Sequence, residues 1–105
     1  MSDVSIETVS DGKFRISGEL NFETVSQALE QSDTMFDHEA ELIHIDLGGI
    51  TRTNSAGIAL LIEWLRAAKH KQKKVLFHHI PEKMLAIAKV SDLADILPLA
   101  NNSNN

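Results

Sequence analysis

The stretch Ile43-His44-Ile45-Asp46-Leu47-Gly48-Gly49-Ile50-Thr51-Arg52-Thr53-Asn54-Ser55-Ala56-Gly57-Ile58-Ala59-Leu60-Leu61 decides how this chain folds. Leu42, Ile43, Ile45 and Leu47 make its first part apolar almost throughout, the pattern of a short strand over residues 42–47 covered on both faces. A polar loop follows, and then a helix from residue 56 to about residue 71. Ser55 stands at the junction, where a hydroxyl is reachable from solvent and lies in the positive field of a helix N-terminus. Such a position suits the addition of a phosphate or the docking of a partner. Asn54 and Ser55 are both good N-caps, and capping alone would account for either of them.

The helix after Ser55 adds weight to docking. At about one hundred degrees per residue, Ile58, Leu61, Ile62, Leu65 and Ala68 fall on one side and form a core stripe. Leu60, Trp64 and Ala67 fall together on another side. The single tryptophan is therefore expected at the margin of the core or outside it, as an anchor of a partner surface, because aromatic residues are enriched at interface hot spots. Cover by a neighbouring helix or by the tail is the competing reading.

On the N-terminal side, Val4 to Val9 and Lys13 to Ser17 alternate apolar and polar residues, with Ser10-Asp11-Gly12 as the hairpin turn between them. Asn21 is a good N-cap for a helix reaching about Phe36, on which Phe22, Val25, Leu29, Ser32 and Phe36 recur at helical spacing as a buried stripe. Beyond the central helix, residues 74–80 form a strand, with His78 and His79 on opposite faces of it. Pro81 occupies a favoured first helical position, and Met84, Leu85, Ile87 and Ala88 give the next helix its apolar face. Leu93, Ile96 and Leu97 form a turn packing back on the core. The order β-β-α-β-α-β-α predicts an α/β fold: a small mixed sheet with an N-terminal hairpin, then parallel strands joined by crossover helices.

The 105 residues are expected to form a single domain over 1–100, with 101–105 a disordered polar tail. No run is long enough to span a bilayer, and Met1-Ser2-Asp3-Val4-Ser5-Ile6-Glu7 shows no secretory signal, so a cytoplasmic protein without direct membrane insertion is expected. The absence of cysteine excludes disulfides, thiolate catalysis and cysteine metal sites. A net charge of −5 argues against nucleic acid as the main ligand. The basic run from Lys69 to Lys74 reads as a helix C-terminus complementing its dipole.

Enzyme chemistry finds little support. Thr53-Asn54-Ser55-Ala56-Gly57 lacks the leading glycine of a nucleophile elbow, and Gly48-Gly49 is followed by no Gly-Lys-Ser/Thr of a P-loop. No histidine has an i, i+4 histidine partner on a helix, so neither a metal nor another cofactor is expected. Asp46 ends the strand near the Ser55 loop and is placed to order it or to repel a phosphate.

The residues Ile43 to Leu47, Ile50 and Asn54-Ser55-Ala56-Gly57-Ile58-Ala59-Leu60-Leu61 resemble the signature of STAS domains, the family of anti-sigma factor antagonists. The resemblance implies a STAS-like fold over nearly the whole chain and a non-catalytic binding module. It makes Ser55 the phosphoacceptor or partner-contact residue. The residues themselves put Asp46, Thr53, Asn54 and Gly57 in its loop and Leu60, Trp64 and Ala67 on the expected partner interface. Asn54 stands where that family usually carries aspartate. The shortened ending, from Leu85 to Pro98, is similar to the small STAS subunit of the Mla phospholipid-transport ABC complex of Gram-negative bacteria, where threonine is typical at the Ser55 position. That likeness implies an ABC-transporter ATPase as protein partner and a place beside the inner membrane through it. The alternative implied partner is an anti-sigma factor kinase that phosphorylates Ser55.

Overall fold

The computed structural model describes residues 3–37 and 39–100. The strands are β1 (Val4–Ser10), β2 (Lys13–Leu20), β3 (Leu42–Thr53) and β4 (Lys74–His78), and the helices are α1 (Phe22–Gln31), α2 (Ser55–His70) and α3 (Glu82–Val90), in the expected order. Two 3₁₀ turns, Met35–Asp37 and Ala94–Ile96, complete the elements of the described residues. The expected tail at 101–105 lies outside the described residues.

The sheet runs β1-β2-β3-β4, antiparallel between β1 and β2 and parallel elsewhere. Gly12, at φ 71°, takes the left-handed step of the β1–β2 hairpin. Because β2, β3 and β4 add in one direction, right-handed crossovers place α1 and α2 on the same face of the sheet. Among the described strands the order never reverses, so the sheet lacks the switch point that holds nucleotides in doubly wound folds.

This topology corrects the reading of β3 as covered on both faces. Ile43, Ile45 and Leu47 are fully buried against the helices, whereas Leu42, His44 and Asp46, on the other face, keep contact with solvent. The strand is also longer than expected. Gly48 to Thr53, read as a loop, continues beside β2 with Ser17 opposite Gly49, Gly18 opposite Ile50 and Leu20 opposite Thr53. Only Asn54 separates strand from helix.

α1 departs from expectation in length and phase. It stops at Gln31, and Phe36 reaches the core from the following 3₁₀ turn. Thr24 and Ala28 are its buried residues, while Phe22 is 76% exposed and Leu29 is also exposed. The cap sets this phase. Asn21 Oδ1 accepts from the Glu23 and Thr24 N–H groups at 2.9 Å each, and Thr24 Oγ1 accepts from the Asn21 N–H at 2.9 Å. With Thr24 turned inward to close that box, Phe22, two positions earlier, points outward.

α2 is the middle helix, with α1 on one flank and α3 on the other. Its buried residues Ala56, Gly57, Ile58, Leu60, Leu61, Trp64 and Ala68 cover a wider arc than one stripe. Pro81 is the N-cap of α3, one position before the expected one. Beyond α3, Leu97 is buried and Ile96 is exposed. Leu99 then forms a parallel bridge with Phe77 at the β4 edge.

Candidate functional site

The carboxyl ends of β2 and β3 and the first turns of α1 and α2 meet at one end of the molecule. The Asn54 N–H donates to the Leu20 carbonyl at 3.3 Å and ties the two helix starts together. Between them lies a cleft of about 390 Å³ whose walls include Glu19, Asn21, Arg52, Asn54 and Lys83.

Asn54 is the cap of α2, its Oδ1 accepting from the Ala56 N–H at 2.8 Å. That duty leaves Ser55 free of it. The Ser55 side chain is exposed and has no hydrogen-bond partner among the described residues. Thr53 is buried, and its hydroxyl donates to the Asn54 carbonyl at 3.1 Å, which also accepts the Gly57 N–H at 2.9 Å. Gly57 is required by close packing: a Cβ there would collide with Thr53 Oγ1 and stand 2.9 Å from Met84 Cε. Thr53, Asn54 and Gly57 thus hold the turn, and Ser55 is the hydroxyl the turn presents. α1 and α3 carry Glu23 and Glu82 in their first turns, whereas α2 has no acidic residue in its own. No acidic side chain in that turn complements its dipole. The residues that line the cleft include no histidine.

Two expected site features are overturned. Leu60 and Trp64 are 0% and 1% exposed and belong to the core. The second apolar side of α2 faces α1 and the chain after it, and the Trp64 indole N–H donates to Ser32 Oγ at 2.8 Å. Of that trio only Ala67 is exposed, in a groove it shares with Leu29 and Phe36. Asp46 is also away from Ser55, because β3 runs on for seven residues beyond it, on the order of 20 Å. It lies on the open face of the sheet, accepting from the Gly48 N–H at 2.8 Å and pairing with Arg15 at 3.3 Å and His79 at 3.0 Å. Partial burial alone would raise its pKa, but the Gly48 N–H, His79 and Arg15 together hold the carboxyl below its ordinary value.

The residue missed by sequence reasoning is Phe22. It follows the Asn21 cap as Ser55 follows the Asn54 cap, and it is the aromatic exposed at this end. The signal was the Asn21-x-x-Thr24 box, which fixes the helix phase independently of the apolar count.

A family model described as "Mlab, STAS domain" matches residues 6–98. The chain belongs to the STAS-domain family. Domains of this family are generally non-catalytic binding modules. Among solved structures, a chain of the Acinetobacter MlaFEDB complex in an ATP-bound conformation is similar, at 27% identity and a TM-score of 0.73, over 84% of this chain and 93% of that one. The unphosphorylated anti-sigma factor antagonist SpoIIAA is similar at 17% identity and a TM-score of 0.69, over 94% and 89% of the two chains. A STAS domain protein from Planctomyces limnophilus has 20% identity and a TM-score of 0.70, over 95% and 90%. The last two establish the fold alone. No curated protein sequence matches the chain. No helix among the described residues is long and apolar enough to cross a membrane.

Proposed function

We propose that this STAS domain is a cytoplasmic accessory subunit that docks on the ATPase of a phospholipid-transport (Mla-type) ABC complex and performs no catalysis itself. The observation that carries the reading is the exposed, unpartnered Ser55 hydroxyl at the start of α2, in a chain matching an MlaB-type family model. The surface we assign to the partner is the mouth formed by Ser55, Asn54 and the exposed Ala59 along α2, extended by Phe22 from α1. Ala67 marks the far end of that helix face. Thr53 and Gly57 act by holding the turn. Leu60, Trp64 and Asp46 have no place in this surface.

Co-purification with the ATPase of an Mla-type ABC complex from the same host tests the proposal. The tagged chain is expected to retain the ATPase, and Ser55→Arg and Phe22→Ala to lose it while keeping the wild-type circular dichroism spectrum. Retention by both variants, or an ATPase that never co-elutes, refutes it.

A second reading is favoured by the uncompensated α2 dipole and by Arg52 and Lys83 in the adjoining cleft. Under it the protein is an anti-sigma factor antagonist switched by an anti-sigma factor kinase. A phosphate on Ser55 would be held by the helix N-terminus without unfolding the domain, and would add about two negative charges to the docking surface. Mass spectrometry of protein from its native host decides it: a Ser55 peptide always unmodified removes this reading.

A further inference from the structure

The helices cover one face of the sheet, and the other face is built from alternate residues of all four strands. Lys13 and Arg15 from β2, Lys74 and His78 from β4, and His44 and Asp46 from β3 share it, with Glu7 of β1 opposite Arg15. His79 was expected on the opposite face from His78. It instead leaves the strand at φ 56°, and both line one cleft of about 260 Å³ on this face. A protein of net charge −5 therefore shows here three fixed cations and three imidazoles against two carboxylates.

The imidazoles are arranged to respond to pH. His44 Nδ1 and His78 Nε2 lie 2.8 Å apart, so one donates and the other accepts, and the bond lasts only while one ring is neutral. Burial first, then repulsion from His44, His79 and Lys13, keeps His78 below its ordinary value, with Asp46 opposing them. An added carboxylate would offset that repulsion. Among the described residues no group of three or more histidine and acidic side chains could hold a metal ion.

We propose that this open face, where cationic side chains and a cluster of imidazoles lie together, is a second docking surface, taking an acidic protein segment whose grip is stronger at about pH 6 than at about pH 8. Charge complementarity names the occupant. Val9 and Leu42, both exposed, add apolar contact that a peptide can use and a polyphosphate cannot. The proposal is independent of the Ser55 mouth, which lies at the end of the sheet.

The test is a titration of the full isotope-labelled chain with a short poly-glutamate peptide, followed by NMR at pH 8 and pH 6 and constant ionic strength. Perturbed signals are expected at Lys13, Arg15, His44, His78 and His79, with affinity about tenfold higher at the lower pH. His44→Gln with His78→Gln should abolish that gain. The single variant His79→Gln, at an exposed side chain, should reduce it without risk to the fold. Equal affinity at both pH values overturns the proposal. So does mapping to Arg52 and Lys83, or tighter binding of a DNA duplex or of anionic phosphatidylglycerol vesicles than of the peptide.

Discussion

Two helices of this domain begin with asparagine caps at the same end, and they use the beginning differently. At α1, Asn21 satisfies two backbone N–H groups, Thr24 returns the bond, and Glu23 complements the dipole. At α2, Asn54 satisfies one, Gly57 stands where α1 has Thr24, and no acid follows. The first helical residue is exposed in both, but only at α2 is it a hydroxyl. One start is closed by its own side chains, and the other leaves positive dipole and a free hydroxyl facing out. The difference locates the candidate site: local structure needs nothing from Ser55.

Trp64→Ala should have the largest effect, about 3–5 kcal/mol of lost stability, because the flank of α2 below its open start is core. A urea midpoint near wild type would mean that Trp64 is exposed after all. Gly57→Ala is expected to cost about 1–3 kcal/mol by overpacking, with partial recovery when Thr53→Ala removes the hydroxyl in its way. Failure of that rescue would show that Thr53 is not the neighbour that excludes a side chain.

Capping itself gives the sharpest contrast. Asn21→Ala should cost about 1–2 kcal/mol and Asn54→Ala about 0.5–1 kcal/mol, and Ser55→Ala should stay within about 0.5 kcal/mol of wild type. Equal losses at Asn21 and Asn54 would erase the distinction between the two starts.

The smallest effect concerns Asp46, outside both. Its folded pKa is depressed, so its charge contributes stability that is present above about pH 4 and is lost as the pH falls through the folded value. The gap in urea midpoint between wild type and Asp46→Asn should therefore close on acidification below pH 4. A gap that persists there would assign the aspartate another role.

Much of this was legible in the chain. Alternation in the hairpin, the apolar run at Ile43 to Leu47 and the Asn54-Ser55 junction gave element order and the place of the hydroxyl, since each rests on local chemistry. What failed was everything set by neighbours. The apolar arc of α2 is wide because two helices flank it, and no periodicity within α2 says which side a neighbour covers. Thus Trp64 was placed outside, and Phe22 inside. Gly48-Gly49 read as loop because the partner strand that keeps them extended lies some thirty residues earlier in the sequence. His79 turned toward His78 through one left-handed residue, a backbone step invisible to strand alternation.

Hydrogen–deuterium exchange of the chain, alone and bound to the ABC ATPase, tests the central claim most directly. The account predicts new protection across residues 52–59 and around Phe22, with the amides flanking Trp64 slow in both states. Protection confined to other surfaces, with the start of α2 exchanging as fast in the complex as alone, would contradict it.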